Sequence, residues 1–178
     1  MKIKKTRFKD LVIYKSKNFY DKRGFLRELT IQKIIKKKLI FTVMSKSKKN
    51  VLRGLHMQKK NKQGKYISVL KGKILDVVVD CRKKSKTFGK HYKIILSEKN
   101  CKSIFIPAGF IHGFLGLGEE NIVIYSCTNY RDKNSEIGVK WNDKDLNINW
   151  KIDGLKPNIS NKDKQGLNFY ELKNKKII

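Results

Sequence analysis

A series of short runs rich in Ile, Val, Tyr and Phe constrains the fold of this chain more than any other feature. Each run is only a few residues long and ends at a cluster of Gly, Asn, Asp or Lys residues. Short runs of β-branched and aromatic residues between turn-forming residues predict strands, and many such strands predict an all-β sandwich, barrel or jelly roll. The predicted strands are residues 11–14, 39–44, 66–70, 74–80, 92–96, 103–106, 113–117 and 122–127.

Turns and irregular segments complete this prediction. Lys71 and Gly72 separate two strand-like runs, and because glycine readily adopts a positive φ, they predict a tight hairpin. The one helical pattern, in residues 29–38, is short. From about residue 141 the chain is polar and loop-like, and we expect it to wrap around the barrel. A length of 178 residues predicts a single domain spanning residues 1–178.

The chain is strongly basic, with 43 Lys and Arg residues against 15 Asp and Glu and a formal net charge of +28. A hydrophobic content of 39% is nevertheless enough for a folded core. Nucleic-acid surfaces are typically rich in clustered Arg, whereas 37 of these 43 residues are Lys and they are scattered along the chain. We therefore interpret the excess of Lys residues as a compositional bias of the surface. Nucleic-acid binding stays an alternative interpretation.

Signals for membranes, secretion and cysteine chemistry are weak. The first residues have no apolar core after their charges, and the most apolar stretch, residues 104–117, is interrupted by Pro107 and several glycines. We expect no membrane association and a cytoplasmic location. Cys81, Cys101 and Cys127 are widely spaced without a CxxC pair, so they predict no disulfide or zinc site.

Three histidines are candidates for chemistry. His56 follows Arg53 by three residues, so that in an irregular turn both side chains would face one pocket. His112 lies in an apolar segment, while His91 lies in a charged segment and is predicted to be a surface residue. An imidazole titrates near neutral pH and can serve as a general base. The absence of any His-x-His or His-x-x-His pair argues against a metal site.

Several segments form an ordered set of motifs along the chain. They are residues 21–28 (DKRGFLRE), 45–58 (SKSKKNVLRGLHMQ), 63–65 (QGK), 76–80 (DVVVD), 85–89 (SKTFG), 106–114 (IPAGFIHGF), 125–130, 141–143 and 160–163. Taken in order, these segments resemble the dTDP-4-dehydrorhamnose 3,5-epimerase family, and the resemblance extends over nearly the whole chain, from about residue 5 to residue 170. One of these motifs alone would be weak, whereas the ordered set is specific.

The resemblance implies a cupin-type jelly roll, a double-stranded β-helix with short peripheral helices, that forms a homodimer. It also implies a substrate that is a nucleotide-linked 4-keto-6-deoxy sugar, with no metal and no organic cofactor. The ketone at C4 acidifies the hydrogens on C3 and C5. Inversion then needs a base, a group that stabilises the enolate, and an acid on the opposite face of the ring.

The family's motifs also imply roles for individual residues. His56 would be the base and Asp163 the carboxylate that orients it, as in hydrolytic triads. Lys65 would stabilise the enolate oxygen, Tyr125 would return the proton, and His112 would line the same pocket. The implied nucleotide contacts are Arg23 and Arg53 to the diphosphate, Glu28 to the nucleoside, Tyr130 stacked on the base, and Glu136 and Lys162 at the rim.

One departure from the family concerns the nucleotide. The family usually carries a Gln-x-Asn-x-Ser pattern that contacts it, whereas this chain has Phe41, Val43 and Ser45. The leading hypothesis is inversion at C3 and C5 of dTDP-4-keto-6-deoxy-D-glucose. The alternatives are a single-centre epimerase, an epimerase of GDP- or UDP-linked sugars, a sugar-binding cupin without activity, and a non-catalytic basic barrel that binds nucleic acid.

Overall fold

The computed structural model describes residues 1–152, 154, 156–175 and 178. Its regular elements are thirteen strands, three short α-helices and one 3₁₀-helix at Lys133–Ser135. The strands are β1 (Lys2–Lys5), β2 (Val12–Lys15), β3 (Phe19–Asp21), β4 (Gly24–Leu26), β5 (Phe41–Lys48), β6 (Leu52–Gln58), β7 (Lys65–Lys71), β8 (Lys73–Asp80), β9 (His91–Ser97), β10 (Lys102–Ile106), β11 (Phe110–Gly116), β12 (Glu120–Cys127) and β13 (Glu136–Gly138). The helices are α1 (Gln32–Ile35), α2 (Asn161–Lys164) and α3 (Phe169–Asn174).

Two antiparallel sheets face each other. The six-stranded sheet has the order β1-β2-β10-β7-β12-β5, and the five-stranded sheet has the order β13-β6-β11-β8-β9. Strands β3 and β4 form a separate hairpin. Each of the eight predicted runs overlaps a strand, so the all-β, jelly-roll prediction with short peripheral helices is confirmed.

Three layers of apolar side chains make up the core, one between the sheets and one on the outer face of each sheet. The layer between the sheets contains Val78 from β8, Ile104 from β10 and Val123 from β12, all essentially inaccessible to solvent. Alternate residues of β8, such as Val77 and Val79, point the other way and pack in a second layer. This alternation follows from the two-residue period of a strand. A third, smaller layer surrounds α1 on the outside of the six-stranded sheet.

Described residues of the segment after residue 141 pack against the outer face of the five-stranded sheet. Trp150, Phe169 and Leu172 are buried in the second layer beside strand residues of that sheet. Asn158 forms an isolated bridge with Val51, just before β6. This segment has few hydrogen-bonded strands of its own, so its position depends on these buried anchors.

The predicted hairpin at Lys71 and Gly72 is wrong. Strands β7 and β8 do follow each other directly, but β7 lies in the six-stranded sheet and β8 in the five-stranded sheet. Gly72, with φ of +82°, is the corner at which the chain changes sheets. A Cβ atom there would overlap the carbonyl oxygen of Glu120, so the corner needs glycine for space as well as for conformation.

Two further expectations need correction. The segment that contains Arg53 and His56 is the strand β6 and not an irregular turn, although the pairing of β6 with β11 shifts register between His112 and Phe114. The helical pattern of residues 29–38 produces only the four-residue helix α1. It ends at Lys36, which adopts the left-handed conformation.

We predict that Gly72→Ala lowers the free energy of unfolding by more than about 2 kcal/mol, because backbone strain and overlap with Glu120 add together. Gly154→Ala is the matched control, since Gly154 has nearly the same φ (+78°) and open space around its Cα. Urea unfolding of both variants measures the difference. Equal losses would show that the crowding at the corner contributes nothing.

Candidate active site

A cavity of about 650 Å³ opens between the two sheets. Strands β5, β7 and β12 form one wall, β6 and β11 form the other, and residues 158–163 close one side. Eight of the eleven residues predicted for the site line this cavity. They are His56, Lys65, Tyr125, Asp163, Arg53, His112, Glu136 and Lys162.

His56 and Asp163 form a hydrogen-bonded pair on the β6 side of the cavity. Nε2 of His56 lies 2.8 Å from Oδ1 of Asp163, and the amide of Gly54 donates to Oδ2 at 3.2 Å. Ser160 caps α2 by accepting from the amide of Asp163. Burial opposes ionisation of Asp163, but the hydrogen bond from His56 and the neighbouring donors hold the pKa of this carboxyl below its ordinary value. Asp163 therefore acts as an ionised acceptor that fixes the ring.

A bulge in β6 turns Arg53 and His56 toward the same cavity. His112 of β11 pairs with His56 and Phe114 pairs with Arg53, so two steps on β11 span three on β6. At the bulge a Cβ atom on Gly54 would lie 2.6 Å from Cα of Gly113. The two backbones can approach this closely only because Gly54 has no side chain.

The opposite wall carries Tyr125 and Lys65. The hydroxyl of Tyr125 lies 3.2 Å from that of Ser45, and burial raises the pKa of the phenol, so Tyr125 holds its proton. Burial lowers the pKa of Lys65, which faces the cavity from the start of β7. An ammonium in such a desolvated place gains from a developing negative charge nearby.

A second buried pair joins His112, which lines the cavity, to Asp76 of β8. Nε2 of His112 lies 2.7 Å from Oδ2 of Asp76, and both residues are at least 96% buried. Oδ1 of Asp76 is the only buried side-chain oxygen or nitrogen without a hydrogen-bond partner in the described part of the chain. Asp76 was not among the predicted site residues, although a carboxylate within the apolar run of β8 was a signal for it.

Glu136 lies closer to His56 than its predicted place at the nucleotide rim implied. Its Oε1 is 3.7 Å from Nδ1 of His56, and its Oε2 accepts from Arg131 at 2.9 Å and lies 3.1 Å from Nζ of Lys162. Burial opposes ionisation of Glu136, yet the two cations hold the pKa of its carboxyl below the ordinary value. Arg131 also lines the cavity and was missed, because only the fold brings it to Glu136.

Three predicted residues lie outside the cavity lining. Arg23 and Glu28 are exposed, in and just after the β3–β4 hairpin, and the guanidinium of Arg23 pairs with Asp21 at 2.6 Å. Tyr130 is 66% exposed, and its ring centroid lies 5.9 Å from that of Phe41, which does line the cavity.

The cysteines and His91 differ in how well the structure matches their predicted environments. Cys81 and Cys127 are buried free thiols, and burial raises the pKa of both. His91 is partly buried at the start of β9, in contrast to its predicted surface position.

Across the described residues, no group of three or more His, Cys, Asp or Glu side chains has a geometry that could hold a metal ion. In the same part of the chain, no helix has the length and apolar character needed to cross a bilayer.

The fold is a cupin-type jelly roll, and its two sheets bring an imidazole–carboxylate pair and a protonated phenol into one cavity. This combination defines the class of the protein as an acid–base enzyme. Its sequence matches the family model of dTDP-4-dehydrorhamnose 3,5-epimerase over residues 5–171. The chain belongs to the dTDP-4-dehydrorhamnose 3,5-epimerase family. It is thus an isomerase family member that acts on sugar nucleotides.

Individual relatives support this membership. The chain is 43% identical over 166 residues to dTDP-4-dehydrorhamnose 3,5-epimerase of Salmonella typhimurium, covering 89% of this chain and 90% of that protein. The crystal structure of the enzyme from Elizabethkingia anophelis has a TM-score of 0.88 at 40% identity, covering 96% and 97% of the two chains. The epimerase of Legionella pneumophila, solved in complex with dTDP-4-keto-L-rhamnose, has a TM-score of 0.92 at 34% identity, covering 99% and 96%.

Proposed function

We propose that this cavity inverts C3 and C5 of dTDP-4-keto-6-deoxy-D-glucose, the reaction for which the family is named. The observation that carries the proposal is the placement of two proton-transfer groups on different sheets. His56, held by Asp163, belongs to the five-stranded sheet, and Tyr125 belongs to the six-stranded sheet. A sugar ring between them would have a base on one face and an acid on the other.

The proposed steps follow from these positions. His56 removes the proton from a carbon beside the C4 ketone, and the electrons of the C–H bond form an enolate whose negative charge lies on the C4 oxygen. Asp163 stabilises the resulting imidazolium, and the ammonium of Lys65 stabilises the oxyanion. Tyr125 then donates its proton to the opposite face of the same carbon. The tyrosinate and the imidazolium regain their resting states by proton exchange with solvent.

The apolar side chains Phe41 and Val43 favour a second candidate, a substrate linked to a different nucleotide. Both line the cavity, and neither offers a hydrogen bond to a base. Sites discriminate strongly between bases when they pair with polar atoms, and weakly when the contact is apolar. Parallel assays with dTDP-, UDP- and GDP-linked 4-keto-6-deoxy sugars distinguish the two candidates.

We predict that His56→Asn abolishes hydrogen exchange at both C3 and C5, because the same base serves both carbons. His91→Asn is the matched control, since His91 lies outside the cavity lining. The measurement is incubation with dTDP-4-keto-6-deoxy-D-glucose in heavy water, followed by NMR and mass analysis of deuterium at each carbon. Wild-type label at both carbons supports two-centre inversion, and label at one carbon supports a single-centre epimerase. Exchange near the wild-type rate in the His56 variant would refute the assignment of the base.

For the acid, Tyr125→Phe is expected to slow net inversion more than exchange, because the base can still return a proton to the face from which it came. Tyr92→Phe is the control, since Tyr92 packs against the same core layer as Tyr125 and lies outside the cavity lining. The ratio of inversion to exchange in heavy water reports the difference. An equal loss of both rates would remove Tyr125 from this role.

We further propose that the protein works as a homodimer of this chain. The β3–β4 hairpin exposes Phe19, Tyr20, Phe25 and Leu26, between 46% and 75% each. A cluster of exposed apolar side chains on one hairpin is typical of a protein contact surface. The same hairpin carries Arg23 away from the cavity of its own chain, and a second copy could receive it.

Leu26→Asp is therefore expected to convert dimers to monomers in sedimentation equilibrium. Tyr170→Asp, which changes an exposed side chain of α3, is expected to leave the mass unchanged.

Arg23→Ala and His56→Asn chains, each inactive alone, should regain about a quarter of wild-type activity when mixed, since half of the dimers would contain one intact site. Mixtures that stay inactive would place Arg23 in the site of its own chain, and an Arg23→Ala chain that is active alone would place Arg23 outside the site.

A further inference from the structure

Glu136 connects the catalytic base to the cations at the mouth of the cavity. Its side chain is only 10% exposed, and each of its two oxygens faces a different group. Oε1 is directed at Nδ1 of His56, the ring nitrogen that is not bonded to Asp163. Oε2 is shared by Arg131 and Lys162. A change at the cations therefore acts on the same carboxylate that faces the base.

The charges at this mouth do not balance. Arg131 and Lys162 are about half exposed, with side-chain accessibilities of 50% and 56%, and their one carboxylate partner among the described residues is Glu136. Two cations on a single carboxylate leave a surplus of positive charge at the cavity that Arg131 and Lys162 line. Such a surplus suits a diphosphate, whose oxygens can replace or share the hydrogen bonds of a guanidinium.

We propose that Glu136 is a positioning residue that couples the binding of the substrate's diphosphate to the proton affinity of His56. The inference rests on the proposed function, because it takes a nucleotide-linked sugar as the substrate. In the free protein, Arg131 and Lys162 neutralise much of the charge of Glu136. A diphosphate that attracts these cations leaves more of that charge for the imidazole, so His56 becomes a stronger base only once the nucleotide is bound.

This coupling has a chemical use. Removing a proton beside a ketone needs a strong base, and the imidazolium that forms would lie between two carboxylates, 2.8 Å from Asp163 and 3.7 Å from Glu136. A sugar without the diphosphate would meet a weaker base, so the enzyme would select nucleotide-linked sugars in the chemical step as well as in binding. The role differs from that of a simple nucleotide contact at the rim.

Other charged or titratable groups line the same cavity as His56 and stay unchanged when Glu136 alone is substituted. They are Asp163 and Lys162 from α2, Arg53 from β6, His112 from β11 with its partner Asp76 from β8, Lys65 from β7, Tyr125 and Cys127 from β12, and Arg131 after β12. Only Glu136 contacts both the ring of His56 and the exposed cations. Its removal therefore breaks the coupling and leaves the other groups in place.

The test uses full-length protein labelled with ¹⁵N-histidine and the ligand dTDP. The chain has only three histidines, so the His56 signals can be identified from the spectrum of His56→Asn. The experiment is run at the pH where half of the His56 rings are protonated in the free protein. We expect saturating dTDP to raise the ratio of protonated to neutral His56 at least about threefold in the wild type, and by less than half as much in Glu136→Gln.

Glu119→Gln is the matched control. It removes a carboxylate of the same type that pairs with Lys49 at 2.8 Å on the exposed surface, outside the cavity lining. This variant should respond to dTDP like the wild type. Arg131→Gln provides an independent test of the coupling if Glu136→Gln does not fold. In Arg131→Gln the His56 ratio of the free protein should already resemble that of the dTDP-bound wild type, so that dTDP adds little.

Three results would overturn the inference. An equal dTDP response in the wild type and Glu136→Gln would mean that the diphosphate acts on His56 directly. A wild-type protein that binds dTDP, as judged from the ³¹P signals of the ligand, without any change at His56 would remove the coupling and leave the proposed reaction intact. Absence of dTDP binding would contradict the choice of nucleotide in the proposed function, and the coupling with it.

Discussion

The close approach of two backbones, β6 and β11 at Gly54 and Gly113, is the constraint on which the site depends. It permits the bulge that turns Arg53 and His56 toward one cavity. It also leaves the amide of Gly54 free of the strand ladder, where it donates to Asp163. One packing contact without side chains thus positions the proposed base, His56, and helps to hold the carboxylate of Asp163 that orients its ring.

The second half of the site depends on a segment with little regular structure. Asp163 and Lys162 lie in the four-residue helix α2, which is too short to be stable alone. Its position is set by the anchors on either side of it, Trp150 before and Leu172 after, which are buried against the five-stranded sheet. Full burial of a large apolar side chain contributes about 1.5–3 kcal/mol. Hydrophobic burial on the outer face of the sheet therefore supports a polar arrangement on its inner face.

Most of the strands could be predicted from the sequence, because short β-branched runs between turn residues have few other structures available. The sheet to which each strand belongs could not be predicted. The residues Lys71 and Gly72 suit a tight turn equally well when the chain turns back within one sheet and when it crosses to the other sheet. Strand β6 was missed because its glycine and bulge break the alternation. The proposed catalytic residues followed from ordered motifs, whereas the contacts of Asp76 with His112 and of Arg131 with Glu136 are formed only by the fold.

Because the proposed base and the proposed acid belong to different sheets, the distance between them depends on the spacing of those sheets. Facing sheets lie about 10 Å apart, a distance that is set by the side chains packed between them. Val78 and Val123 belong to that packing and do not line the cavity. In the proposed reaction, core residues outside the cavity lining therefore help to determine stereochemistry, since a thicker or thinner core changes how well one sugar ring can contact both walls at once.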